Sequence, residues 1–70
     1  MERLAVQSRD IAVIGYDPKL ALLEVVFRQG GVYHYQDVPA ALHKELLSAD
    51  SIGTFFNQKI KGAYPFKKIS

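Results

Sequence analysis

Two adjacent glycines, Gly30 and Gly31, separate two short segments of strand-forming residues, and this feature limits the possible folds more than any other. Glycine readily adopts the positive φ that a tight hairpin turn requires. Residues 20–28 before the turn read LALLEVVFR, and residues 32–36 after it read VYHYQ. The sequence therefore predicts two antiparallel strands joined at the glycines.

A third strand precedes this hairpin. Residues 11–16 form an apolar run rich in β-branched side chains, which favour extended backbone. The run ends at Asp17 and Pro18, where proline presets the φ of a type I turn. We therefore expect a three-stranded antiparallel meander.

Side-chain parity predicts which face of the central strand is buried. Leu23, Val25 and Phe27 share one parity and are expected to face a core. Glu24 and Arg28 lie on the opposite parity, which we expect to face water. Arg28 is expected to pair with Glu24 or with neighbours across the strands.

Tyr33 and Tyr35 lie on the same face of the last strand of the meander. The opposite parity carries His34 and Gln36, so we expect the two rings to face the helical layer and fill the space beneath it. The alternative is that the rings remain exposed and stack on unpaired bases, as in many RNA-binding sheets. An edge that is partly exposed could serve both roles.

Two helices are predicted after the meander. The first covers residues 40–49 and follows Pro39, which suits a helix start. Ser51 is placed to cap the second helix, and Gly62 is placed to end it. Gly53 is unusual in a first turn, so either this helix begins one turn later or another backbone passes close by. The apolar residues at helical spacing are Leu42, Leu46 and Leu47 in the first helix, and Ile52, Phe55, Phe56 and Ile60 in the second.

The expected fold is an α+β domain of order β-β-β-α-α, with both helices on one face of the sheet. Its 70 residues suffice for a single domain, with a core over residues 11–62 and an extended tail over residues 63–70. Cysteine is absent, and no apolar stretch approaches the length of a signal peptide or a membrane span. We therefore expect a cytoplasmic location.

The charge is unevenly distributed, although the net charge is only +2. All acidic residues precede Ser51, so the C-terminal end is purely basic. Such asymmetry indicates either contact with a polyanion or simply a solvated surface. The basic residues of this end are Lys59, Lys61, Lys67 and Lys68.

No arrangement in the sequence supports catalysis. His34 and His43 have no second ligand at metal-binding spacing, and Ser48 and Ser51 are better explained as helix-surface or capping residues than as nucleophiles. The paired glycines lack the lysine and following helix of a phosphate-binding loop. We expect no enzyme activity, no metal and no cofactor.

The order of the motifs resembles the KTSC domain, a short bacterial module named for its occurrence at the C-terminus of some lysyl-tRNA synthetases and also found as a small stand-alone protein. The resemblance covers nearly all of residues 11–69. The matching stretches are Ile14 to Asp17, Leu23 to Val25, Phe27, Tyr33 to Tyr35, Val38-Pro39, Ser51, Gly53, Phe55 to Asn57, Ile60-Lys61 and Tyr64-Pro65. The resemblance implies a small non-catalytic module for which RNA binding is the suggested role.

The leading functional hypothesis is RNA binding, to tRNA or to a single strand, through the basic C-terminal end. Asn57 either hydrogen-bonds a loop or the tail, or contacts a base or ribose. The predicted binding residues are Lys59, Lys61, Lys67 and Lys68 for phosphates, Arg28 and His34 as an extension of the patch, Tyr33, Tyr35 and Tyr64 for stacking, and Asn57.

The alternative hypothesis is a module that binds a larger protein or a second copy of itself. Leu22, Val26 and Val32 fall on the parity expected to face outward. An apolar strip on an open sheet favours a partner that covers it.

Overall fold

The computed structural model describes all 70 residues, and its main feature is a five-stranded antiparallel sheet. The strands lie side by side in chain order from β1 to β5. The elements are β1 (Glu2–Ala5), β2 (Ile11–Asp17), β3 (Leu22–Phe27), β4 (Val32–Tyr35), α1 (Ala40–Ser48), α2 (Ile52–Lys59) and β5 (Phe66–Lys68). The α+β class and the two helices are confirmed, but the prediction of a three-stranded sheet was wrong.

Both additional strands lie outside residues 11–62. At one edge β1 pairs with β2, so that Leu4 lies opposite Ile14, and at the other edge β5 pairs with β4, so that Phe66 lies opposite Tyr35. Every residue of β1 and β5 is exposed. An exposed strand needs no alternation of apolar and polar residues, so the sequence pattern carried no signal for either one.

The hairpin at the paired glycines forms as predicted. Gly30 and Gly31 have φ values of 101° and 104°, and the amide of Phe27 donates to the Gly31 carbonyl at 3.1 Å. The strand before it begins at Leu22 and not at residue 20. The preceding turn extends through Ala21, whose φ of 51° is incompatible with a strand.

Both helices pack on the same face of the sheet and enclose one hydrophobic core. Tyr35 is 4% exposed within this core, and Tyr33 packs against it half-buried. The prediction that both tyrosines face the helical layer is therefore confirmed. The core comprises Val6, Ile11, Ile14, Tyr16, Leu23, Val25, Tyr35, Val38, Leu46, Ile52, Phe56 and Ile60.

The helix starts follow the sequence signals. Pro39 is the N-cap of α1, and the Ser51 hydroxyl caps α2 by accepting a hydrogen bond of 3.3 Å from the Thr54 amide. The second helix begins at Ile52, so Gly53 lies inside its first turn. The helices are too short to span a membrane.

Tyr16 fixes α1 and the segment before it to the sheet. Its buried hydroxyl donates a hydrogen bond of 2.6 Å to the Val38 carbonyl. Its ring stacks on His43 of α1 with ring centroids 4.5 Å apart. Burial raises the pKa of the Tyr16 hydroxyl, so the group that makes this bond is the neutral phenol.

Candidate functional site

A groove of about 510 Å³ lies on the helical face, where α2 meets β4 and β5, and we call it the aromatic groove. It has the size of a small-ligand site and has both apolar and polar walls. Its lining residues are Asp10, Ile11, Phe27, Gln29, Gly30, Tyr33, Tyr35, Gly53, Phe56, Asn57, Lys61 and Phe66.

Five aromatic rings in this groove form one connected cluster. Phe56 of α2 makes edge contacts with Phe27 and Tyr35, with centroid distances of 5.8 and 5.3 Å. Phe66 of β5 contacts Tyr33 at 5.8 Å and Tyr35 at 5.5 Å. Aromatic pairs at these separations stabilise each other beyond simple burial, so the floor of the groove is preorganised.

Phe66 is the ring of this cluster that solvent reaches most easily, since it is 57% exposed. It was not among the site residues predicted from the sequence, which placed it in an extended tail. The available signal was its position beside Lys67 and Lys68, because single-strand binding surfaces combine aromatic with basic residues.

Polar residues also line the groove, among them Asn57 and Lys61. Asn57 and Lys61 are four residues apart on α2 and the turn that follows it, so they lie on the same side of the helix. Asn57 is exposed, and the hydrogen-bonding side chains of α2 are those of its cap, Ser51 and Thr54. Lys68 lies opposite Tyr33 in the strand register and therefore shares the face of Phe66. The one acidic lining residue is Asp10.

The four C-terminal lysines do not form one patch. Lys67 lies opposite His34 in the register, and so on the face of the sheet that the helices do not cover. Lys59 is two residues after Asn57, about 200° further round the helix. Of the four, Lys61 and Lys68 lie at or beside the aromatic groove.

The uncovered face of the sheet carries a row of residues that crosses all five strands: Arg3, Gly15, Glu24, His34 and Lys67. The carboxylate of Glu24 accepts hydrogen bonds from Arg3 Nε at 2.6 Å and Nη2 at 3.4 Å, and it contacts His34 Nε2 at 2.9 Å. Glu24 is only 6% exposed, so the prediction that it faces water was wrong. Arg3, His34 and their neighbours cover it.

These contacts also control the ionisation of Glu24. The hydrogen bond from Arg3 lowers the pKa of the Glu24 carboxyl, and the bond from His34 acts in the same direction, while burial opposes both. The carboxylate is therefore held in its charged form. His34 is a partner of Glu24 on this face and lies on the opposite side of the sheet from the aromatic groove.

Arg28 and Tyr64 make contacts within the protein, and neither lines the aromatic groove. The guanidinium of Arg28 donates to the backbone carbonyls of Ser8 at 2.7 Å and Val6 at 3.0 Å, so it does not pair with Glu24. It fixes the connection between β1 and β2 to the end of β3. Tyr64 is half-buried and packs against the core.

A second groove, of about 590 Å³, lies between β1 and α1. It contains none of the predicted site residues, and charges of both signs line it, Glu2 and Asp17 with Arg3 and Lys19. His43 lies in its wall, where burial lowers the pKa of the imidazole and the charge of Glu2 raises it more weakly. Two acidic residues in the lining and a single aromatic stack make this groove a weaker candidate for an anionic chain than the aromatic groove, which has one acidic lining residue and five connected rings.

The fold and the aromatic groove define a small α+β domain with one preorganised aromatic surface. The KTSC domain family matches residues 7–64, and this chain belongs to that family.

Relatives of the chain include small proteins and segments of larger ones. It is 46% identical to an uncharacterized protein of Stutzerimonas stutzeri over 61 residues, which cover 87% of this chain and 86% of that protein. It is 37% identical to a lysine–tRNA ligase of Nostoc punctiforme over 60 residues, which cover 86% of this chain but only 11% of the ligase.

A solved structure has the same fold. The crystal structure of a KTSC domain protein from Yersinia pestis matches with a TM-score of 0.95 and 43% identity, over 99% of this chain and 97% of that chain. A match over 99% of this chain includes the segments that form β1 and β5. The five-stranded arrangement is therefore shared with a relative.

Proposed function

We propose that this chain is a non-catalytic, cytoplasmic module that binds RNA through the aromatic groove. The observation that carries the proposal is the exposed ring of Phe66, held by Tyr33 and Tyr35 beside two lysines. Aromatic rings beside cations are the elements that bind single-stranded nucleic acid with little dependence on sequence.

The charge distribution supports the same surface. No acidic residue follows Asp50 in the sequence, so Lys61 and Lys68 have no acidic neighbours along the chain. The one acidic residue that lines the groove is Asp10. A related segment occurs in a lysine–tRNA ligase, a protein whose name refers to an RNA. By this analogy the module would support RNA binding and would carry no chemistry of its own.

The salt dependence of the affinity indicates how many lysines contact phosphates. Each phosphate of a single strand that is neutralised contributes about 0.7 to the slope of log affinity against log salt. If Lys61 and Lys68 act alone, affinity should fall about sevenfold between roughly 50 and 200 mM salt, whereas participation of all four C-terminal lysines should give a fall of about fiftyfold.

The test is a titration of labelled tRNA and a short single-stranded RNA, monitored by fluorescence anisotropy at low salt. The double variant Lys61→Gln with Lys68→Gln should lose most binding, and the matched variant Lys59→Gln, on another side of α2, should retain it. Absence of binding at the lowest salt concentration would rule the proposal out.

A second candidate function, self-association, rests on the uncovered face of the sheet. Val13, Val26 and Val32 lie opposite one another across β2, β3 and β4, and all three are half-buried without a helix above them. Ile69 continues this row beside Val32 and is 48% exposed. A second copy could bury such a row.

Light scattering coupled to gel filtration tests this second candidate. A dimer that becomes a monomer in the variant Val26→Lys would support it. A monomer at high protein concentration would rule out self-association and leave the RNA proposal unaffected.

A further inference from the structure

We infer that the aromatic groove receives one unpaired base of a single-stranded RNA, stacked on Phe66, and that it does not bind a duplex. This inference rests on the proposed RNA-binding function and specifies the form of RNA that it requires.

The accessible aromatic area favours a single stacked base. Tyr35 is 4% exposed and Tyr33 is half-buried, so neither offers a whole ring face. Both contact Phe66, tilted by 33° and 46° relative to its ring, and they restrict its movement. Phe66 is thus a supported platform, and a base can reach such a platform only when it is not paired and stacked within a helix.

The groups around Phe66 match the other parts of a nucleotide. The amide of Asn57 offers a donor and an acceptor, which can meet the exposed edge of an unpaired base. Lys61 lines the groove, and Lys68 lies two residues after Phe66 on the same face of β5, so both are placed to contact phosphates next to that base. A duplex would present phosphates to the lysines, but it would leave Phe66 and Asn57 without partners.

The experiment compares three RNA probes with the full chain: a short oligoadenylate, the same oligonucleotide annealed to its complement, and a version with abasic sites. Phe66→Leu should weaken oligoadenylate binding about tenfold, and Phe66→Trp should retain it, because base stacking needs an aromatic ring. The abasic and duplex probes should bind weakly and should not distinguish these variants. Asn57→Ala, at an exposed helix position, should also lower the affinity for oligoadenylate, and it leaves the aromatic cluster unchanged. Circular dichroism verifies that each variant is folded.

The possible outcomes separate the inference from the proposed function. Loss of oligoadenylate affinity in Phe66→Leu, with weak duplex and abasic binding, supports both. Equal affinity for all three probes, with sensitivity to Lys61 and Lys68 but not to Phe66, overturns the inference and leaves only RNA binding at this surface through the two lysines standing. No binding of any probe at low salt overturns both.

Discussion

The guanidinium of Arg3 on β1 donates a hydrogen bond of 2.6 Å to the carboxylate of Glu24 on β3, although β2 lies between the two strands. The residue of β2 in this row is Gly15, which has no side chain to block the contact. A Cβ at this position would lie 3.1 Å from Arg3 Cγ and 2.9 Å from Met1 Sδ. Gly15 therefore permits an ion pair that connects β1 with the centre of the sheet.

Replacement of this glycine should break the ion pair. In Gly15→Ala the new methyl group displaces the flexible side chains of Arg3 and Met1, and Glu24 loses its shortest hydrogen bond. We expect the thermal midpoint to fall by about 3–6 °C, measured by circular dichroism. In the background Arg3→Ala the same substitution should have a much smaller effect. An equal fall in both backgrounds would show that the methyl group strains the backbone instead.

The lowered pKa of Glu24 predicts a dependence of stability on pH. In the unfolded chain this carboxyl titrates near its ordinary value of 4.5, and in the folded protein it titrates lower. The unfolded state therefore binds more protons in this range. The contribution of Glu24 is fully present above pH 4.5 and is lost as the pH falls through the folded pKa.

The measurement is urea unfolding of the native chain and of Glu24→Gln over a series of pH values. The difference in the free energy of unfolding between the two proteins should shrink as the pH falls below 4.5. A constant difference at every pH would mean that the carboxylate charge contributes nothing.

The hydroxyl of Tyr16 should contribute more to stability than those of the groove tyrosines. In Tyr16→Phe the Val38 carbonyl loses a buried donor at 2.6 Å, at a cost of about 1–3 kcal/mol. The matched control is Tyr33→Phe, at a half-buried position where we expect little change. Chemical denaturation measures both free energies, and equal values for the two variants would contradict this assignment.

The glycine in the first turn of α2 should be replaceable. A Cβ at Gly53 would meet only the Ser8 hydroxyl, at an ordinary contact distance of 3.5 Å. Gly53→Ala should therefore stabilise the protein by about 0.5–1 kcal/mol in a denaturation experiment. The control Gly62→Ala should be destabilising, since φ at that position is +82°. Destabilisation by Gly53→Ala would indicate a tighter contact with Ser8 than the structure has.

The sequence predicted the centre of the sheet better than its edges. The face of Leu23 and Val25 was identified because burial imposes a parity on residues of β3. At the edges, β1 and β5 are held by backbone hydrogen bonds while their side chains remain exposed, so the pattern of residues is uninformative. The burial of Glu24 could not be predicted for the same reason. It depends on Arg3, which lies on β1, a strand that the residue pattern did not reveal.

Only part of the candidate site could be predicted from the sequence. Four of the predicted residues, Tyr33, Tyr35, Asn57 and Lys61, come together in the aromatic groove. Phe66 was missed because its place depends on the pairing of β5 with β4. That long-range pairing also separates Lys67 from Lys68, since neighbouring residues of a strand point to opposite faces. Whether these residues bind RNA stays a prediction.

The most direct test of the RNA-binding account is an amide chemical-shift map of the ¹⁵N-labelled protein during titration with a short single-stranded RNA. We expect the largest shifts at Asn57, Lys61, Phe66 and Lys68, with little change at Val13 and Val26 on the uncovered face. Shifts confined to that uncovered face, or a spectrum that does not change, would contradict the account.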